Sequence, residues 1–394
     1  MTIEERERHT FRLERWRAVG TGVLETSGAT FLVLIAERWF SAGPAAKSLL
    51  LASGSIGLLL TPLVLMWAGK RAESAGNSAS VLYLVAAAVL SATLAANKTV
   101  ALYVTGCVIG FIFVTSVNPL FATIYQANYR ADRRGDLFSR NIVIRILANV
   151  VFAFAAGKLL EYDISWWRAI IGAYAVALIG GAVCLRRSPP APVHTSEGTH
   201  PLRAFRHVRD DRVFRWTLVS WMLMGFANLV MYALRVEYLV STDYGIQEDA
   251  LTVAMLTAIA PNLARLVFTR IWGRLFDRMK FNTLRIILNF CVMLGILSFF
   301  TGAGLTGLYI GAILFGISNA GADLAWSLWV TKVAPPALTT EYMTVHTFLT
   351  GIRGIIAPFA AFYMAPRLGI GVTAVSMAVL ILLGSAVLVQ ERAR

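Results

Sequence analysis

The chain has 394 residues, of which 57% are hydrophobic and only 15% charged, and it carries a formal net charge of +14. Soluble domains carry about 25% charged residues, so this composition excludes an ordinary soluble globular protein. The basic residues lie in short segments between apolar runs. That distribution indicates a topological bias across a membrane and disfavours a nucleic-acid-binding surface.

Twelve apolar runs follow one another along the chain, and a helix of about 20 such residues crosses a ~30 Å hydrocarbon layer. A transmembrane β-barrel would instead show alternating segments of about 10 residues, so an all-α polytopic membrane protein is predicted. The predicted spans are 16–39, 47–69, 79–96, 99–126, 137–160, 165–185, 213–240, 249–272, 284–302, 305–330, 342–365 and 369–389.

A polar stretch separates spans 1–6 from spans 7–12. It opens with Arg-Arg-Ser-Pro-Pro-Ala-Pro, which cannot continue a helix. We therefore predict an N-terminal six-helix bundle at 1–185, a cytoplasmic linker at 186–212 and a C-terminal six-helix bundle at 213–394. Most Lys and Arg residues lie on the side of the two termini, so both termini are expected in the cytoplasm. The expected location is the inner (plasma) membrane.

The two halves repeat several features at corresponding places. Arg145 in span 5 corresponds to Arg353 in span 11, and Asn118 in span 4 corresponds approximately to Asp323 in span 10. Such repetition favours a duplicated six-helix unit, an architecture common among transporters. Kinks are predicted at four prolines inside spans, Pro62, Pro119, Pro261 and Pro358.

One segment between spans 8 and 9 carries a recognisable motif. The sequence Gly-Arg-Leu-Phe-Asp-Arg-Met-Lys begins at Gly273 and resembles the Gly-x-x-x-Asp-Arg-x-x-basic signature of the major facilitator superfamily (MFS). The corresponding segment after span 2 begins at Gly69 and is degenerate, because Glu73 replaces the aspartate and the following arginine is missing. The resemblance in topology covers nearly the whole chain.

This resemblance implies an MFS fold of two pseudo-symmetric six-helix bundles and assigns a gating role to Gly69, Glu73, Gly273, Asp277 and Arg278. Glycine allows two helices to approach closely, and a carboxylate is favoured beside a helix N-terminus. An ordinary topogenic loop is the alternative reading. Span 4 lacks the buried arginine associated with proton coupling in the family, and span 5 lacks the Gly-Pro pattern of drug antiporters.

Five charged residues lie at bilayer depth, away from the ends of the predicted spans: Glu25, Arg145, Arg265, Asp323 and Arg353. Each costs at least ~2.5–3.5 kcal/mol at bilayer depth, so each requires a reason to be there. The interiors of spans 3, 6, 9 and 12 are predicted to carry no charge. In the MFS fold those four helices are peripheral and the others line the central cavity, so the distribution supports a transporter.

The simplest arrangement pairs Glu25 with Arg145, and Asp323 with either Arg265 or Arg353, because pairing limits the desolvation penalty. Fixed ion pairs that only hold helices together are one interpretation. The other is that the arginines bind an anionic or zwitterionic solute through their planar forks, while Asp323 and Glu25 carry protons.

Further polar and aromatic side chains are candidates for the substrate path. His346, about one turn inside span 11, is expected to face the surface and form hydrogen bonds. Together with Arg353, Arg265 and Arg145, the predicted substrate-binding residues are Asn118, Asn228, Tyr232, Asn319 and Trp326.

The sequence therefore predicts a secondary active transporter that moves a small organic solute by alternating access, with protons as the coupling ion. It has no His-Glu-x-x-His, Gly-x-Ser-x-Gly or P-loop pattern, so neither an enzyme nor ATP-driven transport is indicated. No cofactor, metal or nucleic-acid partner is expected, and the protein is expected to be a monomer in the bilayer. A drug efflux pump, a lipid or lysolipid flippase and a non-transporting sensor on the same scaffold remain as alternatives.

Overall fold

The computed structural model describes residues 1–71, 74–97, 99–130, 133–193, 205–334 and 338–392. Within these ranges the regular structure is helical. The helices up to the linker are α1 (Ile3–Thr26), α2 (Leu32–Arg38), α3 (Pro44–Leu59), α4 (Thr61–Lys70), α5 (Ala75–Thr93), α6 (Val100–Ser116), α7 (Asn118–Asn128), α8 (Arg134–Tyr162) and α9 (Trp167–Arg186). Those that follow are α10 (Arg206–Asp210), α11 (Arg212–Val240), α12 (Ala250–Ala254), α13 (Ala260–Arg278), α14 (Phe281–Thr301), α15 (Gly304–Val333), α16 (Thr339–Leu368) and α17 (Ile370–Arg392).

Every predicted apolar run coincides with one helix or with consecutive helical segments. Among the described residues, ten helical stretches are long and apolar enough to cross a membrane, and α3 with α4 makes an eleventh if this pair is one span. The run at 16–39 is not among them. It falls across the charged helix α1, a π-helical segment and α2. The count of twelve spans and the cytoplasmic termini stay predictions.

Prolines mark three of the helix interruptions, as the sequence predicts. The bend of 48° between α3 and α4 precedes Pro62. The break between α6 and α7 precedes Pro119, and a π-helical segment ends just before Pro261. Proline lacks the N–H needed for the helical ladder, and its ring displaces the preceding turn. Pro358 differs, because α16 continues through it.

The helices fold into two compact units. The first consists of Met1–Ser196 together with Gln247–Met255, so the start of the eighth predicted span belongs to it. The second consists of Glu197–Ile246 and Leu256–Arg394. The division of the chain into 1–185, 186–212 and 213–394 remains a prediction about domains.

Each unit has its own aromatic core. In the first unit, the rings of Phe40 and Tyr103 stack at 4.5 Å between centroids, and Trp167 meets both edge-on. In the second unit, a larger cluster forms around Phe214 and Trp329, whose rings stack at 5.7 Å. Aromatic pairs in these geometries add to the stabilisation from buried area within each unit.

Candidate functional site

An ion pair joins α1 to α8 in the first unit. Arg145 Nε lies 3.1 Å from Glu25 Oε1, and the two side chains are 23% and 33% exposed. Gly22, one turn before the glutamate, allows this approach, because a Cβ atom there would overlap the main-chain carbonyl oxygen of Arg145. The predicted pairing of Glu25 with Arg145 is therefore confirmed as geometry.

A second ion pair joins α13 to α15 in the second unit. Nε of Arg265 donates a hydrogen bond of 2.7 Å to Asp323 Oδ2, and Nη2 lies 2.6 Å from the same oxygen. The partner of Asp323 is therefore Arg265 and not Arg353. The arginine side chain is 16% exposed, whereas that of the aspartate is 53% exposed. Gly316 brings the two helices together, because a Cβ atom there would overlap the carbonyl of Pro261.

Arg353 is not paired with an acid in the described part of the chain. Its Nη1 donates a hydrogen bond of 2.7 Å to the main-chain carbonyl of Trp221, and its Nε has no hydrogen-bond partner there. The guanidinium lies against Gly225, where a Cβ atom would overlap it. Three arginines and two acids lie at bilayer depth in the predicted spans, so one arginine is expected to lack a carboxylate, and the structure identifies it as Arg353.

Arg285 is a buried cation that the sequence analysis missed. It lies one turn inside α14 and is fully buried, so the prediction of no charge inside span 9 is wrong. Its Cζ lies 3.5 Å from the centroid of the Trp221 ring, and its Nη2 lies 3.6 Å from Met224 Sδ. Its position next to the predicted span boundary made it resemble an ordinary basic residue at a helix end.

His346 does not face the surface, so that expectation is also wrong. It is fully buried, and neither ring nitrogen has a hydrogen-bond partner among the described residues. The ring centroids of Trp221, Trp326 and Trp329 lie 5.2, 5.9 and 5.1 Å from that of the histidine. Tertiary packing of aromatic rings causes this burial, which the position of one histidine in the sequence cannot reveal.

The other polar candidates lie on three helices, α7, α11 and α15. Asn118 is exposed at the first residue of α7, whereas Asn228 on α11 and Asn319 on α15 are half-buried. Tyr232 is already engaged, because the Cζ atom of Arg235 lies 4.0 Å from its ring centroid. Their assignment to substrate binding stays a prediction.

The motif predicted to act in gating lies mostly on a helix. Residues Gly273 to Arg278 form the last turns of α13, because none of the residues between them breaks a helix. Arg278 is exposed, and the side chain of Asp277 lies outside the described residues, as does Glu73. Among the described residues nothing lies within 4 Å of a Cβ atom built at Gly273, and the gating role of this glycine stays a prediction. Gly69 lies at the end of α4.

A second missed network connects α1 with α7. Arg17 and Glu14 form an ion pair of 2.6 Å, and the hydroxyl of Tyr125 accepts from Arg17 and donates to Glu14 at the same distance. The guanidinium also lies over the ring of Phe121, with 4.2 Å from Cζ to the centroid. In this network each charge has partners, so we regard it as structural. No group of three or more His, Cys, Asp and Glu side chains in the described ranges could hold a metal ion.

The two ion pairs define what these units can do chemically. Each places a carboxylate and a guanidinium together on helices that coincide with predicted spans, and each carboxylate keeps a third to a half of its side-chain surface exposed. In each pair the carboxylate balances the charge of the guanidinium, and the planar fork of a guanidinium matches the oxygen atoms of a carboxylate or phosphate.

Comparison with known proteins places the chain in a family. A model of the major facilitator superfamily matches residues 18–358. A mutant of the nucleoside transporter NupG superposes with a TM-score of 0.76 at 16% identity, covering 97% of this chain and 99% of that one. A D-xylose–proton symporter superposes with a TM-score of 0.70 at 17% identity, covering 96% of this chain and 95% of that one. The partially occluded inward-open xylose transporter XylE from E. coli also gives 0.70 at 17%, with 97% of each chain covered.

The comparison with curated protein sequences finds no match. The solved structures are too distant in sequence to indicate more than the fold. The family model nevertheless covers most of the chain, and the predicted resemblance is confirmed. The chain therefore belongs to the major facilitator superfamily, whose members act as membrane transporters and not as enzymes.

Proposed function

We propose that the protein is a proton-coupled secondary transporter that moves a small organic anion or zwitterion by alternating access. The observation that carries the proposal is the occurrence, in each unit, of a carboxylate–arginine pair whose carboxylate remains partly exposed. Placing four charges in apolar spans is costly, and exposure of the carboxylates suits groups that exchange protons with water. A wholly structural pair would gain more from complete enclosure and additional hydrogen bonds.

The coupling follows from competition for the guanidinium. When Asp323 is ionised, it holds Arg265. When Asp323 binds a proton, the attraction is lost and Arg265 becomes available to a carboxylate or phosphate of the solute. Release of the proton on the other side restores the ion pair and expels the solute. Glu25 and Arg145 can perform the same exchange in the first unit.

The remaining roles belong to the same proposal. One of the similar structures is named as a D-xylose–proton symporter, which supports protons as the coupling ion. The solutes in the names of the similar structures, D-xylose and nucleosides, belong to a class other than the one proposed here. We propose that Gly69, Glu73, Gly273, Asp277 and Arg278 take part in gating. We also propose substrate contacts from Arg353, Asn118, Asn228, Tyr232, Asn319 and Trp326. The protein acts as a monomer in the plasma membrane.

A ligand screen tests the solute class. The purified protein is heated with panels of organic anions, zwitterions, nucleosides, pentoses, amphipathic cations and lysolipids, and the unfolding temperature is recorded. We expect stabilisation by anions or zwitterions, and its loss in Arg265→Gln. Glu161→Gln is the matched control, because it disrupts an exposed pair with Lys158 at 3.1 Å. Stabilisation only by amphipathic cations or lysolipids would identify efflux or lipid handling instead and would contradict the proposal.

A further inference from the structure

Three nitrogen-rich side chains surround Trp221 inside the second unit. Arg285 on α14 places its Cζ 3.5 Å from the centroid of the indole ring. Arg353 on α16 donates to the main-chain carbonyl of the same tryptophan at 2.7 Å. The ring of His346, also on α16, lies 5.2 Å from the indole centroid. Two cations and a histidine therefore meet at one residue of α11.

Several donors of this cluster have no acceptor among the described residues. Arg285 Nε and Nη1, Arg353 Nε and the indole nitrogens of Trp221 and Trp329 are buried and have no hydrogen-bond partner among the described residues. The same holds for both ring nitrogens of His346. In the described part of the chain, no ion pair joins either arginine to a carboxylate.

Such an arrangement is unfavourable unless something compensates it. A guanidinium cannot release its proton to escape burial, and the two positive charges also repel each other. The indole face attracts Arg285, but a cation–π contact offsets only part of the lost hydration. Five of the unpartnered atoms are N–H groups, and the ring nitrogen of His346 that carries the proton adds another. A negatively charged group with several lone pairs would accept hydrogen bonds from these N–H groups.

We propose that Arg285, Arg353 and His346 form a binding site for one oxyanion group, a carboxylate or a phosphate, inside the second unit. Two guanidinium forks match the oxygen atoms of such a group better than they match a spherical halide. Arg353 is only half-buried, so the anion would reach the site past this side chain, whereas Arg285 and His346 are fully buried. The site is separate from the Arg265–Asp323 pair, whose guanidinium already has a carboxylate.

This inference rests on the proposed function in one respect, since the anionic group of the transported solute is a natural occupant. The other source is an inorganic anion. Binding is therefore measured in detergent, with no gradient and no transport, so that failure of the site and failure of the transport proposal are distinguishable.

The first experiment uses the wild-type protein with inorganic phosphate and acetate as probes. Chloride is replaced by either probe at constant ionic strength, while tryptophan fluorescence and the unfolding temperature are followed. We expect a saturable change in fluorescence, because two of the indoles lie in the cluster, and a rise in the unfolding temperature over the same concentrations. A wild-type response that is absent or does not saturate would overturn the proposal.

Two variants and one control complete the test. Arg285→Met and Arg353→Gln are expected to weaken the apparent affinity by about tenfold or more, since each removes charge-assisted hydrogen bonds. Arg235→Gln is the control, because Arg235 is another buried cation in this unit, and the rings below its guanidinium are Tyr232 and Phe315 and not Trp221. Its affinity should match that of the wild type. An equal loss in all three variants would contradict the site.

The unfolding temperature of Arg285→Met separates anion binding from a purely structural role of Arg285. A buried cation without an anion costs stability, so its replacement by an apolar chain of similar length should raise the unfolding temperature in phosphate-free chloride buffer. It should also remove the stabilisation by phosphate. If phosphate and a solute found in the ligand screen compete for binding, the site belongs to the solute. If their stabilising effects on the protein add, the site belongs to an inorganic anion. If the variant is less stable than the wild type in both buffers, Arg285 is a packing residue and the proposal fails.

Discussion

Replacing Asp323 by Asn removes the negative partner of Arg265 and preserves the shape of the side chain. Arg265 reaches the carboxylate oxygen Oδ2 with Nε at 2.7 Å and Nη2 at 2.6 Å. Only 16% of the arginine side chain is exposed, against 53% for the aspartate. The cost of the substitution therefore arises at the arginine, which is left charged and mostly desolvated.

The magnitude lies between two limits. Breaking a fully buried pair costs about 3–5 kcal/mol, whereas exposed pairs contribute at most about 1 kcal/mol. Because one partner is enclosed and the other is half exposed, we expect Asp323→Asn to lower the free energy of unfolding by about 1–3 kcal/mol. Removing both charges, with Arg265→Gln added, should recover most of this loss because no lone charge remains.

A double-mutant cycle measures this coupling. Wild type, the two single variants and the double variant are unfolded under identical detergent conditions, and the interaction energy is the departure from additivity. Glu161→Gln provides the control for an exposed pair and should change stability by less than about 0.5 kcal/mol. An Asp323→Asn protein as stable as the wild type, or strictly additive effects, would refute the assignment of an energetically important ion pair.

The close helix contacts lead to further predictions. Gly225→Ala should fold normally but move the guanidinium of Arg353, the flexible end of a side chain, so anion binding should weaken while the unfolding temperature without phosphate changes little; unchanged binding would contradict this. Gly22→Val should separate two helices at the carbonyl of Arg145 and lower stability by about 1–3 kcal/mol, measured by thermal unfolding. Gly316→Val should do the same in the second unit, and a wild-type unfolding temperature for either valine variant would argue against the packing.

The fold and the pair of Glu25 with Arg145 could be predicted from the sequence, whereas the choice between Arg265 and Arg353 as the partner of Asp323 needed the structure. Apolar runs indicate segments that lie in lipid. An isolated charge within such a run requires a partner, so the pairing of Glu25 with Arg145 could be predicted from the sequence. Proline breaks followed from the missing N–H at Pro62 and Pro119. These features depend on local chemistry, which the residues themselves carry.

The rest depends on tertiary packing. Arg285 and Arg17 resemble basic residues at the ends of spans, and only the helices packed around them make them buried. His346 is enclosed by three tryptophans, all of them on other helices. The motif at Gly273 was predicted as a loop because the family signature lies between spans, whereas its own residues allow α13 to continue to Arg278.

The central claim is that movement of a solute is coupled to protons through the two carboxylates. The most direct test uses proteoliposomes and a labelled solute found in the ligand screen, and compares accumulation driven by a pH gradient with exchange at equal pH. We predict that Asp323→Asn together with Glu25→Gln abolishes accumulation and retains exchange, because the solute still moves but no proton moves with it. Accumulation by that variant at the wild-type level, or accumulation by the wild type without a pH gradient, would contradict the account.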